Sequence, residues 1–174
     1  MTGSAVAIPW EDQNIPGIIN AWYGGQSAGT AVADVLFGDY NPAGRLPVTF
    51  YRNDSDLPPF SAYDMTGRTY RYFQGEALYP FGYGLSFTTF EYSDLAVTEN
   101  VTKNNMVKVS FRVRNTGPVD GEEVIQLYVS HPGVQGRAPL RAFGVHDLPA
   151  HSIQKKTGGT DYSRKLRLED CADA

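Results

Sequence analysis

Asp34-Val-Leu-Phe-Gly38-Asp39-Tyr-Asn41-Pro42-Ala-Gly44-Arg45-Leu-Pro47-Val-Thr-Phe50 is the stretch on which the reading of this chain turns. Its first residues complete a helical pattern. Ala28, Ala31, Val32, Val35 and Leu36 recur at helical spacing and give one apolar face. Ser27 suits the N-cap of that helix, which is expected to run through Phe37. Gly38 suits the left-handed residue that ends many helices. Turn residues follow, and Arg45 leads into a short apolar strand ending at Phe50.

Upstream, Gly24-Gly25-Gln26-Ser27-Ala28-Gly29 is a small-residue loop opening the helix. Residues 5 to 8 and Ile15 to Tyr23 are short apolar runs that suit buried strands, although periodicity alone does not decide such short runs. Strand, glycine turn and helix together are an α/β signal. Downstream, residues 51 to 80 look like a connector. Asn53-Asp54-Ser55-Asp56 and Pro58-Pro59 disfavour regular structure there, and Thr69-Tyr70-Arg71-Tyr72-Phe73 suits a short strand. Gly67, inside the connector, is expected to tolerate a Val better than Gly38 does.

From Phe90 the pattern changes. Leu95 and Val97 alternate with polar neighbours. Val107, Val109, Phe111 and Val113 alternate with Lys108, Ser110, Arg112 and Arg114, the period of a half-buried antiparallel strand. Asn115-Thr-Gly117-Pro118 marks a turn, and Ile125, Leu127 and Val129 suit the inner face of a further strand. Arg141 to Val145 suits one more. Beyond it no hydrophobic strand is visible.

The composition is that of an ordinary globular chain: 174 residues, 41% hydrophobic and 20% charged. A net charge of −4 with scattered basic residues gives no reason to expect nucleic acid. No run approaches the ~20 apolar residues of a membrane helix. Cys171 is the only cysteine, so no internal disulfide forms. Eleven Tyr and nine Phe suit β-rich packing and also carbohydrate contact.

The Gly38-Asp39-Tyr-Asn41-Pro42 stretch and its flanks resemble a signature near the end of the second catalytic domain of family 3 glycoside hydrolases, which include β-glucosidases and β-xylosidases. Tyr79-Pro-Phe-Gly82-Tyr-Gly84-Leu-Ser-Phe-Thr-Thr-Phe90 resembles the next signature of the same family, which leads into a fibronectin-III-like sandwich. The resemblance covers roughly residues 5 to 140. It implies an α+β chain: a terminal piece of an α/β sandwich domain at 1–50, a connector at 51–89, an incomplete antiparallel fibronectin-III-like (Ig-like) β-sandwich at 90–150, and an atypical, mobile tail at 151–174. A truncated or frame-shifted gene would give such an ending.

The resemblance also implies chemistry. Family 3 enzymes remove terminal β-linked glucosyl or xylosyl residues with retention, using two carboxyl groups about 5 Å apart. They use no metal or organic cofactor. The nucleophile is an Asp in an N-terminal barrel and the acid/base a Glu well upstream of the first signature, so no catalytic residue transfers to this chain. The implied partners are an oligosaccharide substrate and the missing N-terminal catalytic domain, with neither nucleic acid nor membrane. The parent type is often exported. The alternative function is a non-catalytic accessory or carbohydrate-binding β-domain.

Among residues of this chain, Glu11 beside Trp10 is the best candidate acid/base, since an apolar wall raises a carboxyl pKa. The plainer reading of Glu11-Asp12-Gln13-Asn14 is a solvated loop. Glu122-Glu123 is a weaker pair, and Asp54 and Asp56 suit turn-shaping. The glycine loop lacks the Gly-Lys-Ser/Thr of a nucleotide site, so close packing explains it better than anion binding. His131, His146 and His151 lack zinc spacing. Ser27, Ser86 and Ser130 lack a nucleophile elbow. Asn53-Asp54-Ser55 and Asn100-Val101-Thr102 match the glycosylation pattern. Arg68, Tyr70, Arg71 and Tyr72 suit either a sugar-binding rim or, better, Arg71 and its neighbours pinning the connector between the two domains. Arg45 suits a structural contact.

Overall fold

A computed structural model describes residues 1–98, 106–129, 141–143, 151–153 and 160–167. The fold is mixed α/β. It divides into two compact units, Met1–Leu85 with Val124–His151 and Ser86–Glu123 with Ser152–Ala174.

The first unit carries the helices. Helix α1, Pro9–Asn14, was not expected, although its signals are plain in retrospect. Pro9 occupies the first helical position, where its missing N–H costs nothing. Glu11 and Asp12 place negative charge in the first turn, the favourable end of the helix dipole. Helix α2, Ala28–Phe37, has the expected bounds. Ser27 sits at its N-cap but its hydroxyl accepts no first-turn N–H, and Gly38 terminates it at φ +84. Its apolar face is only partly covered, with Ala28, Val32 and Val35 half-buried. No residue of α2 is buried, and Leu36 and Phe37 are 63% and 84% exposed.

The expected strands at 5–8 and 15–23 are not formed. A strand needs a neighbour to satisfy its N–H groups, and Pro16 removes one donor from the second run. Ile18 and Ile19 are exposed instead. Residues 69–73 correct the sequence reading too: Thr69–Tyr72 is a helical turn, α3. Asp54–Asp56 is a 3₁₀ turn whose start is fixed by the Asp56 carboxylate accepting the Asn53 N–H at 3.0 Å. Gly67 has φ +72, so the connector is no freer for a side chain there than Gly38 is. Strands β4 (Leu127–Val129) and β5 (Arg141–Phe143) form an antiparallel pair in the same unit. Ile125, expected in the strand, precedes it and is half-buried.

The second unit is antiparallel sheet. Strands β1 (Phe90–Val97), β2 (Met106–Asn115) and β7 (Thr160–Arg167) form one sheet in the order β1-β2-β7. Strands β3 (Gly121–Glu123) and β6 (His151–Ile153) form a second. Alternation along β2 is as expected, with Val109 buried and Val113 fully buried. On β1 it is not: Leu95 and Val97 are exposed. Both faces of β1 are exposed from Glu91 to Val97, and its register with β2 shifts between Ser93 and Ala96. Asp94 takes the bulge position at φ +56, and its carboxylate meets Arg112 at 3.0 Å.

Strands β6 and β7 lie where the sequence shows no hydrophobic strand. β7 pairs with β2 from Met106↔Arg167 to Val113↔Thr160. Its two large apolar residues fall opposite β2's own, Tyr162 opposite Phe111 and Leu166 opposite Val107. Polar and charged residues at the other positions hide that pattern in the sequence.

Candidate functional site

The two signature stretches come together. Leu46 N–H donates to Tyr83 O at 2.8 Å, and Gly82 N–H returns to Leu46 O at 2.7 Å. Four residues on, Phe50 N–H donates to Tyr79 O at 2.9 Å while Leu78 N–H donates to Phe50 O at 2.9 Å. Residues 44–50 and 78–84 thus run antiparallel in one register, yet only Phe50↔Tyr79 forms a bridge. Between these two points the chain turns instead of continuing the ladder, with Tyr83 N–H donating to Pro80 O at 3.0 Å. The short strand expected at 46–50 is therefore an interrupted ribbon.

Phe50, Ala43, Thr49 and Leu78 are its buried residues. Phe50 is the hub, with Trp22 edge-on at 6.3 Å and Tyr79 edge-on at 6.2 Å. Tyr83 stacks on Tyr79 at 5.0 Å. Such pairs add roughly 0.5–1.5 kcal/mol beyond their buried area. Gly84 lets the ribbon close, because a Cβ there would stand 2.5 Å from Gly44 O. Arg45 holds the turn by donating to Ala43 O at 3.2 Å and Gly44 O at 3.1 Å, the structural contact expected of it.

This ribbon also anchors α1. The Tyr79 hydroxyl donates to Asp12 Oδ1 at 2.6 Å. Burial first, then the Asp12 carboxylate, push the Tyr79 phenol up to about 12. Glu11, the candidate acid/base, is exposed on the same helix. Trp10 is itself 64% exposed and builds no apolar wall. Glu122 and Glu123 are both half-buried in β3.

The basic and aromatic cluster acts as a clasp. Arg68 donates to Pro59 O at 3.1 Å, Ala62 O at 2.8 Å and Asp64 O at 3.3 Å. Tyr70 stacks on Phe81 at 4.3 Å and meets Tyr128 edge-on at 6.2 Å. Arg71 donates to the Tyr70 hydroxyl at 3.2 Å. Burial and then Tyr70 raise the Tyr128 phenol above its usual range. In the glycine loop, close packing holds for Gly24, whose Cβ would overlap that of Ala28, but not for Gly25 or Gly29, which face open space. Ser86 Oγ accepts the Thr88 N–H at 3.4 Å. Among the described residues no group of three His, Cys, Asp or Glu gathers as a metal site. His131, His146, Ser130, Asn100 and Cys171 lie outside the described residues.

The sequence reading missed the Asp12–Tyr79 bond, which joins residues 67 apart. Helix α1 was legible from Pro9 and the acidic turn. Its partner was not, because a tyrosine phenol carries no local mark of what it will meet.

Residues 1–87 match the glycosyl hydrolase family 3 C-terminal domain. The chain is 56% identical over 128 residues to a xylan 1,4-beta-xylosidase of Xylanibacter ruminicola, covering 74% of this chain and 15% of that protein. It is 42% identical over 171 residues to a periplasmic beta-glucosidase of Salmonella typhimurium, covering 90% and 22%. Beta-glucosidase 3B from Thermotoga neapolitana, solved in complex with glucose, superposes with a TM-score of 0.85 at 34% identity, over 99% of this chain and 26% of that one. The chain thus spans about a fifth of the length of these relatives. Paired signatures, domain match and shared fold agree: the chain belongs to glycosyl hydrolase family 3, in the C-terminal region of its β-glucosidase and β-xylosidase members.

Proposed function

We propose that this chain is the closing part of a retaining β-glycosidase that removes terminal non-reducing β-D-glucosyl or β-D-xylosyl residues. Its role is to complete and brace the catalytic portion. The strands of the second unit, with β3 and β6, are the members of a fibronectin-III-like sandwich. The observation that carries this reading is α2: a ten-residue helix with the family's signature at its end and no buried residue. An apolar helix face of that kind favours cover by further polypeptide, and the relatives extend several-fold beyond the matched region. Double displacement needs two carboxyl groups facing one sugar. Glu11 is exposed on α1 and Asp12 is held by Tyr79, so the isolated chain is inactive. The name of the Salmonella relative supports an exported whole protein. A separate carbohydrate-binding β-domain has less support, because among the described residues the most exposed rings, Phe60 and Tyr63, belong to the first unit and not to the strands.

The test is a chimera in which this chain replaces the matching region of a family 3 β-xylosidase. The chimera is expected to hydrolyse aryl β-xyloside or aryl β-glucoside, and the chain alone to hydrolyse neither. A folded but inert chimera, or turnover by the chain alone that vanishes in Glu11→Gln, sinks the reading.

A further inference from the structure

The chain enters α3 under backbone strain. Thr69 has φ +56, a left-handed conformation that a β-branched residue rarely adopts. Its N–H donates to the Tyr51 hydroxyl at 2.8 Å, and the Tyr51 ring meets Phe73 edge-on at 4.8 Å. Strain of this kind persists only where the surroundings impose it, and it gathers at sites where a side chain must be aimed. The side chains aimed here are Tyr70 and Arg71. Phe81 stacks on the Tyr70 ring, and Tyr128 meets that ring edge-on. The Tyr128 hydroxyl donates to Gln126, whose amide lies where a Cβ on Gly82 would stand. The Arg71 guanidinium lies 5.7 Å from the Tyr70 ring centroid, and its Nε–H donates to the Tyr70 hydroxyl at 3.2 Å.

Those contacts use the Nε–H alone. Nη1 and Nη2 of Arg71 have no partner among the described residues, and no described carboxylate stands within ion-pair distance of them. Other arginines of this unit are spent differently. Arg52 meets Glu76 at 3.5 Å, and Arg45 and Arg68 donate to backbone carbonyls of their own turns. Arg71 is half-buried, so part of its hydration is already lost. A planar fork with both ends unspent matches a bidentate oxyanion, and its one charge is balanced by a single carboxylate. Arginine set among tyrosine rings is also the composition of protein–protein anchor points. The relatives extend several-fold beyond the matched region, which is a C-terminal domain, so the polypeptide able to supply that carboxylate comes before it.

We propose that the Arg71 fork, held against Tyr70, receives the carboxylate of an Asp or Glu in the catalytic portion that precedes this chain in the whole enzyme. This rests on the reading of the chain as the closing part of a β-glycosidase, and it names the residue that fastens the brace. Arg71→Lys in the chimera puts a primary amine in place of the fork. Carbodiimide activation should then join that amine to one Asp or Glu of the catalytic portion as an amide, with loss of water, and peptide mass spectrometry identifies the pair. Arg71→Gln should lower the melting temperature of the chimera by at least about twice as much as that of the isolated chain, because only the chimera loses the ion pair. A role confined to holding Tyr70 would lower both equally. In the isolated chain, acetate at constant ionic strength should shift the Arg71 Nε–H NMR signal where chloride does not, and should leave those of Arg45 and Arg68 in place. The proposal is overturned by a link only to carboxylates of this chain, by equal losses in chimera and chain, or by an Arg71 signal indifferent to acetate. The acetate measurement needs no chimera, so it decides even where the chimera fails to fold. An inert chimera that carries the link fails the glycosidase reading alone, and an active chimera without it fails this inference alone.

Discussion

Three glycines of the first unit offer a graded test of the backbone argument, because each isolates a different cost. Gly29 lies inside α2 with open space around any added Cβ. Gly29→Ala therefore meets no clash, and it should stabilise the unit by about 0.5–1 kcal/mol through helix propensity and a less flexible unfolded chain. Gly38 also faces open space, but its φ is +84. An L residue there costs roughly 1–2 kcal/mol, offset by about 0.4–1 kcal/mol from the stiffer unfolded chain, so Gly38→Ala should destabilise by about 0.5–1 kcal/mol. Gly82 adds overlap to strain: its φ is +81, and a Cβ would run into the side-chain amide of Gln126. Gln126 can move only by giving up the hydrogen bond it accepts from the Tyr128 hydroxyl, which is worth about 1 kcal/mol. Gly82→Ala should thus cost about 1.5–2.5 kcal/mol in total. Urea unfolding followed by a probe confined to the first unit, such as Trp22 fluorescence with Trp10→Phe as background, reads all three. Because the two units need not unfold together, a single whole-chain transition should not be assumed. The order Gly29→Ala above parent above Gly38→Ala above Gly82→Ala is required. Equal stability for Gly29→Ala and Gly38→Ala would refute the assigned helix end.

Tyr79 should keep its proton to about pH 12. Its folded pKa lies above the unfolded value, so its contribution to stability is complete below pH ~10 and lost as pH rises toward the folded value. Asp12→Asn should lower the pH at which Tyr79 loses its proton, followed by tyrosinate absorbance. Val113→Ala, at a fully buried position, should cost about 2 kcal/mol, while Val97→Ala, at an exposed one, should fall within about 0.5 kcal/mol, both by denaturant midpoint. Backbone amides across 160–167 should exchange slowly as a block if β7 pairs with β2 throughout, and uniformly fast exchange there would support a mobile tail. Asp94→Gly should be close to neutral, since relief of the φ +56 strain offsets an exposed ion pair with Arg112 worth about 0–1 kcal/mol.

Local signals carried well where they were self-contained. The bounds of α2 followed from apolar spacing and from Gly38, whose φ does what the sequence asks of it. The alternation of β2 followed for the same reason. Failures occurred where a segment's state depended on a distant partner. Ile15 to Tyr23 reads as a strand by composition, yet no described segment pairs with it, and a strand without a partner leaves its backbone groups to water. β7 reads as polar tail because strand pairing is a backbone matter and needs few large apolar side chains when β2 already supplies them. At residues 69–73, aromatic content suggested a strand, but Thr69 enters at φ +56 with its N–H given to the Tyr51 hydroxyl at 2.8 Å, and the chain turns there. In the candidate site, Arg45 makes the structural contact anticipated for it, while Arg68 bonds within its own loop and not between domains. The Asp12–Tyr79 bond and the exposure of Phe60 and Tyr63 had no local signal at all.

The pairing of the two signatures gives their residues a physical reason for occurring together. Arg45 to Phe50 and Leu78 to Gly84 are about thirty residues apart in sequence, yet each supplies what the other lacks. Pro47 and Pro80 withhold donors, so neither segment can add a full strand to a neighbour or recruit another chain along its edge. Phe50 and Tyr79 make the one bridge that remains, and the Trp22, Phe50, Tyr79 and Tyr83 rings bury the contact. Gly84 is small because Gly44 O and Arg45 occupy the space beside it. The connector between the segments is then a closed excursion whose ends are fixed, and its length costs little in loop entropy. That is why residues 51–77 are free to carry a clasped loop with two exposed rings without loosening the core on which they stand.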